Sequence, residues 1–122
     1  MNQVQTRGIT EIQINLATPD FEELVTEVID ETFMNLGLKV KQAFYHFLKI
    51  HYELNKEDIP NRIGDFVDAL EKVFGAGASL IEIEVVKTLQ DRVPSFTYVL
   101  AGSNLSFEGY LTSLRKHIEG LD

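Results

Sequence analysis

The chain contains no cysteine. That absence removes disulfide bonds, thiolate catalysis and cysteine-ligated zinc together, and it fits an intracellular protein. Long apolar runs are missing too. The longest are a few residues, far short of the roughly 20 needed to span a bilayer. Met1 to Thr10 lacks the apolar stretch of a secretory leader, so the expectation is a cytoplasmic protein with no membrane partner. Basic residues are scarce: 11 Lys and Arg stand against 19 Asp and Glu, a formal net charge of −8. A field of that sign repels phosphate backbones and anionic lipid, which disfavours nucleic-acid binding while leaving room for a small basic patch.

What is present describes one globular domain. The chain has 122 residues, 44% hydrophobic and 25% charged. At this size folding buries roughly two-thirds of the unfolded chain's surface, enough for one core without a metal or a cross-link. No internal repeat or low-complexity run divides it.

Residues 9–16 place Ile12, Ile14 and Leu16 on alternate positions, the pattern of an extended segment with one apolar face. Such a strand needs a partner strand in the same chain or in a second copy; the plainer reading, a poorly ordered leader, stays open. Thr18 and Pro19 carry the capping and first-turn signature of a helix. Phe21, Leu24, Val25, Val28 and Phe33 follow at helical spacing up to Gly37. A second helix over about 38–54 carries Val40, Ala43, Phe44, Phe47, Leu48 and His51 on one stripe, with Tyr45, Ile50 and Tyr52 off it. A helix apolar on more than one face is central or engaged by a partner.

Pro60 interrupts the chain between 55 and 61, and Asn61 is placed to cap a third helix bearing Ile63, Phe66, Val67, Leu70, Val73 and Phe74. Gly75-Ala76-Gly77 reads as a left-handed helix stop. Segment 79–93 is ambiguous. Ile81, Ile83 and Val85 alternate with Glu82 and Glu84 like a strand, but its length, its tail Lys87 to Arg92 and Pro94 beyond favour a helix, apolar around most of its circumference as a buried one is. Residues 95–103 read as a loop or short strand. A last helix carries Leu105, Tyr110, Leu111, Leu114 and Ile118, with Arg115, Lys116 and His117 suited to its negative pole.

Chemistry is sparse. Glu23, Glu27 and Glu31 stack on one helix face with no base on that helix, either a cation site or acidic partner surface or, more simply, a solvated face. The Glu-x-x-His of di-metal bundles and the His-Glu-x-x-His of zinc proteases are absent. His46 reads as exposed and His51 as a hydrogen-bonded residue near the core. Gly75 to Ser79 lacks the Lys-Ser/Thr of a phosphate loop and reads as a helix–helix turn. There is no Gly-x-Ser-x-Gly, and Ser79, Ser95, Ser103, Ser106 and Ser113 read as turn or cap residues; a triad assembled by folding stays open because geometry defines it. Lys39, Lys41 and Lys49 with Tyr45 and Tyr52 form a basic-aromatic cluster, which lysine stems lying along a buried helix explain.

One longer pattern adds to this. Val40-Lys41-Gln42-Ala43-Phe44-Tyr45-His46-Phe47-Leu48, then Asp58-Ile59-Pro60, then Phe66 through Phe74-Gly75-Ala76-Gly77-Ala78, and finally Phe107-Glu108-Gly109-Tyr110-Leu111 with Leu114-Arg115, resemble a small archaeal helical domain family of the nitrosopumilus-output-like type. That family is proposed as a signal-output module, has no assigned activity, and is found alone or fused to other domains. The matching residues are packing and turn positions, so the resemblance implies helix over 79–93 and a regulatory role but no catalytic residue. Residues 1–18 lie outside it.

Taken together, the sequence predicts an all-α domain of about five helices over 18–122, preceded by an extended segment over 1–17. The alternative is α+β, with 9–16, 80–86 and 96–100 paired as a sheet. The predicted function is a non-enzymatic interaction or regulatory module that forms a homo-oligomer, or takes a protein partner, without metal or cofactor. Ile12, Ile14, Leu16, Tyr45, Ile50 and Tyr52 are its candidate interface residues. Ile50 replaced by Asp should give a folded monomer if Ile50 is interface and an unfolded chain if it is core. A small-molecule sensor holding an apolar or anionic ligand is the second reading. Enzymatic activity comes last, with no residue constellation behind it.

Overall fold

The computed structural model describes residues 20–96 and 106–120. Its elements are α1 (Phe21–Leu36), α2 (Leu38–Tyr52), a 3-10 turn (Lys56–Asn61), α3 (Ile63–Phe74), a second 3-10 turn (Gly75–Gly77), α4 (Ala78–Arg92) and α5 (Phe107–Glu119). Among the described residues there are five α-helices and no strand, so the all-α reading holds and the strand proposed at 80–86 is helix. Segment 9–16 and most of 96–100 lie outside the described residues. No described helix is long and apolar enough to cross a membrane.

α1 begins two residues later than the Thr18-Pro19 signature predicts. Asp20 is its cap: with extended backbone, its carboxylate accepts from the Glu23 N–H at 3.0 Å, satisfying one of the unpaired amides of the first turn. α1, rather than the aromatic-rich α2, is the central helix. It packs against α2, the first 3-10 turn, α4 and α5 and buries Phe21, Leu24, Val25, Val28, Ile29, Thr32 and Phe33. Its six aliphatic and aromatic positions, Phe21 to Phe33, make an arc wide enough to face neighbours on several sides. The buried Thr32 hydroxyl is satisfied by donating to the Val28 carbonyl at 2.9 Å.

Gly37 alone joins α1 to α2. It holds φ 131°, and its N–H donates to the Phe33 and Met34 carbonyls; a side chain is strained at that φ, which is why glycine occupies so short a corner. α2 buries only Phe44 and Leu48. The predicted stripe is therefore rotated: Val40, Ala43 and His51 are exposed, while Tyr45 and Tyr52 turn inward and pack against the core. His51 lies on the ring of Phe47, centroids 4.4 Å apart. The helix ends at Glu53 in the left-handed conformation, with Arg62 donating to the Tyr52 and Glu53 carbonyls at 2.9 and 3.2 Å.

Pro60 sits inside the 3-10 turn, buried beside Ile59. Asn61 does not cap α3. Arg62 holds the cap position without a side-chain bond, and the Asn61 amide instead donates to Glu22 and accepts from Arg115. α3 buries Phe66, Ala69 and Leu70, while Val73 is exposed. Gly75 has φ 56° with ψ −127°, outside the left-handed helical basin, and the chain runs through the 3-10 turn directly into α4.

α4 is not the all-round apolar helix that its composition implies. It buries one stripe, Ala78, Ile81, Val85 and Leu89, and turns Leu80 and Ile83 to solvent. α5 is capped by Ser106, whose hydroxyl accepts from the Gly109 N–H. It buries Phe107, Tyr110, Leu111 and Leu114; Leu105 lies outside the described residues. Ser79 and Ser113 are helical rather than turn residues.

Candidate functional site

The corner at Gly37 and the turn at 75–77 bring four helix ends together: the C-termini of α1 and α3 and the N-termini of α2 and α4. Their floor is aromatic. Phe33 and Phe44 stack at 4.7 Å, and Phe74 lies 6.1 and 5.6 Å from them. Above that floor the surface stays apolar. Met34, Leu36, Leu38, Val40, Val73, Leu80 and Ile83 are exposed, from 37% at Val40 to 66% at Leu80.

This end also lacks charge. Thr32–Leu38 and Val73–Ile81 are sixteen positions without one Asp, Glu, Lys or Arg, where the chain's average of 25% would place about four. Scattered exposed apolar residues are normal on any protein; a concentration of them in an uncharged patch marks an interaction surface. Beside it, α1 and α4 leave a groove of about 260 Å³, lined by Thr32 and Leu36 on one wall and Leu80, Ile81, Glu84 and Thr88 on the other.

Elsewhere many charges are paired within the chain. Asp30 accepts from Lys41 at 3.0 Å and from the Tyr45 hydroxyl at 3.1 Å, with Lys56 at 3.7 Å. Partial burial works against its ionisation, but the hydrogen bonds from Lys41 and Tyr45 and the charges of Lys56 and Lys41 outweigh it and hold the carboxyl below its usual range. The Tyr45 phenol is pushed well above its ordinary value by burial and by the Asp30 charge. Arg115 reaches Glu22, Glu119 and Asn61, each at 3.0 Å, and lies over the Phe21 ring. Arg92 forks onto Glu27 and Glu31 at 3.4 and 2.6 Å, so the acidic ladder of α1 is bridged by a base from α4. Among the described residues no group of three or more acids or histidines converges to hold a metal ion.

Of the predicted interface residues, Tyr45 and Tyr52 spend their hydroxyls inside the chain, on Asp30 and on Asp68 at 2.6 Å. Ile50 stands 59% exposed near the opposite end of α2 from the apolar surface. Ile12, Ile14 and Leu16 lie outside the described residues. Among the three described candidates, Ile50 is exposed and the two tyrosines are half-buried. Lys41 and Lys49 are engaged by Asp30 and Asn55, which ties two lysines of the basic-aromatic cluster to partners within the chain. The fold does place Ser95 against His117, Oγ to Nε2 at 3.1 Å, a nucleophile–base distance, but on the exposed surface. The residues that sequence reasoning missed are Leu36, Leu38, Leu80 and Ile83. The uncharged runs containing Leu36, Leu38 and Leu80 were the available signal; Ile83, between Glu82 and Glu84, gave none.

No protein-family model, no curated protein and no solved structure matches the chain.

Proposed function

We propose that the domain is a non-enzymatic interaction or regulatory module that docks a protein on its uncharged end. One observation carries this reading. Of the seven large apolar side chains exposed at this end, five stand in two uncharged runs that converge there, in a chain many of whose other charges are tied to each other. Surfaces of that kind bind by excluding water from apolar anchors, with polar groups confined to the rim. The resemblance to archaeal signal-output domains points the same way, since such a module passes on a signal by contact rather than by chemistry.

The test is quantitative affinity capture with wild-type and Leu80→Asp baits from the source cells. Partners depleted severalfold with the variant support docking at this end. An identical partner set for both baits overturns it.

A specific observation favours a second reading. The α1–α4 groove combines an apolar base with the Thr32 and Thr88 hydroxyls and the Glu84 carboxylate, the mixture that orients a small ligand. At about 260 Å³ it falls just under the usual 300–1,000 Å³ of ligand pockets. A melting temperature raised by an added metabolite, and unaffected by it in Thr88→Leu, would move the assignment to a sensor.

A further inference from the structure

We infer that a second copy of this chain covers the uncharged end, in a two-fold dimer that seats Leu80 of each copy in the other's α1–α4 groove. This rests on the reading of that end as a docking surface and names the occupant.

Three observations carry it. The first is shape. A two-fold interface must be self-complementary, each patch holding both the projection and the recess. Here they adjoin: Leu80, 66% exposed, with Ile83 beside it on the same outward face of α4, and a groove of about 260 Å³ at whose lip Leu80 itself stands.

The second is charge. Two copies each carry −8, and like-charged surfaces repel within the roughly 8 Å screening distance of physiological salt. Thr32–Leu38 and Val73–Ile81 carry no charged side chain, and Glu84 is the one carboxylate lining the groove, so copies meeting here bring few like charges together.

The third is area. The seven exposed side chains present roughly 600 Å² and, with the backbone and rim around them, approach the ~800 Å² per partner of a standard specific interface.

Sedimentation velocity on the full chain, diluted from high to low micromolar, is the first experiment. A species of twice the 13.8 kDa chain mass is expected; a monomer throughout overturns the inference, while leaving the affinity-capture result to decide the docking reading by itself. Leu80→Asp should weaken dimerisation about thirtyfold or more, as loss of an interface anchor does. Its circular dichroism and its melting temperature at high dilution should stay unchanged. A dimer that persists in the variant overturns the inference. Should Leu80→Asp fail to fold, Ile83→Lys gives the same reading from the neighbouring exposed position.

The two-fold arrangement has its own test, made clean by the lack of native cysteine. Ala76→Cys at the uncharged end should join to its counterpart through a short bis-maleimide, and Glu57→Cys in the first 3-10 turn should not. Any other pattern overturns the arrangement.

Discussion

Where α1 begins, Arg115 gathers Glu22, Asn61 and Glu119, Asp20 caps the helix and Arg62 covers the last carbonyls of α2. Where α1 ends, sixteen consecutive-run positions carry no charge and seven large apolar side chains face water. The first region satisfies its polar groups within one chain. The second leaves apolar surface that none of the described residues covers. Polar residues at a bundle end are stabilised by partners a few ångströms away, whereas apolar residues gain only when water is removed.

Substitutions can break or sharpen this contrast. The largest effect belongs beneath the uncharged end. Phe33 is fully buried and stacked on Phe44, so Phe33→Ala should cost about 4 kcal/mol in urea unfolding. A loss under 1 kcal/mol would mean that the apolar end is loosely packed throughout, and that the exposed residues above it report poor folding rather than an interface.

Next is Asp30→Ala, which strands Lys41 and the Tyr45 hydroxyl, at about 2 kcal/mol near neutral pH. The sign of its pH dependence follows from the lowered carboxyl. The wild-type advantage is complete above the ordinary value of 3.8 and is lost as pH falls through the still lower folded-state value. Acid titration of both proteins should therefore converge below that value; a gap persisting there would show that the effect is packing, not charge.

Arg115→Ala removes partly exposed ion pairs and a guanidinium–ring contact with Phe21, and should cost about 1 kcal/mol, much of it sensitive to salt. No change would show the charged end to be held by its core alone.

Glu82→Gln should act in the opposite direction. Burial, then the charges of Glu71 and Glu108, raise the Glu82 carboxyl above its usual 4.5. A raised group contributes its stability below that value and loses it as pH rises through the folded-state value. The variant should therefore melt higher than wild type at neutral pH and equal to it in acid. Equal melting at both would mean that neither burial nor the neighbouring acids disfavour the Glu82 charge.

The smallest effects mark true surface. Leu80→Asp, measured at high dilution, and Ile50→Asp should each change stability by less than about 0.5 kcal/mol. Unfolding by either would place that residue in the core.

Much of the architecture was legible. The helix over 78–92 competed with a strand pattern at Ile81, Ile83 and Val85, and its length together with Pro94 decided correctly, because alternation over five residues is weak against a periodic segment of fifteen. The last helix showed its core residues and its Ser106 cap context. The candidate site was far less legible. Periodicity identifies which residues are apolar but not which arc of a helix meets a neighbour: on α2 it chose Val40, Ala43 and His51 over Tyr45 and Tyr52, since tyrosine is apolar along its ring and polar at its tip, and only the position of Asp30 and Asp68 shows which way it turns. On α4, apolar residues around the helix suggested burial on all sides, whereas the fold supplies neighbours on only one.

The sequence by itself determined the helical class, the breaks at Gly37, Pro60 and 75–77, and the absence of thiol chemistry, because these follow from local backbone preference and from composition. Tertiary structure decided that α1 is central, that Arg115 and Asp30 join distant elements, and that Leu36, Leu80 and Ile83 share one end of the bundle. Those facts depend on contacts between residues up to 93 positions apart, and no local pattern encodes which helix faces meet when the chain closes on its core.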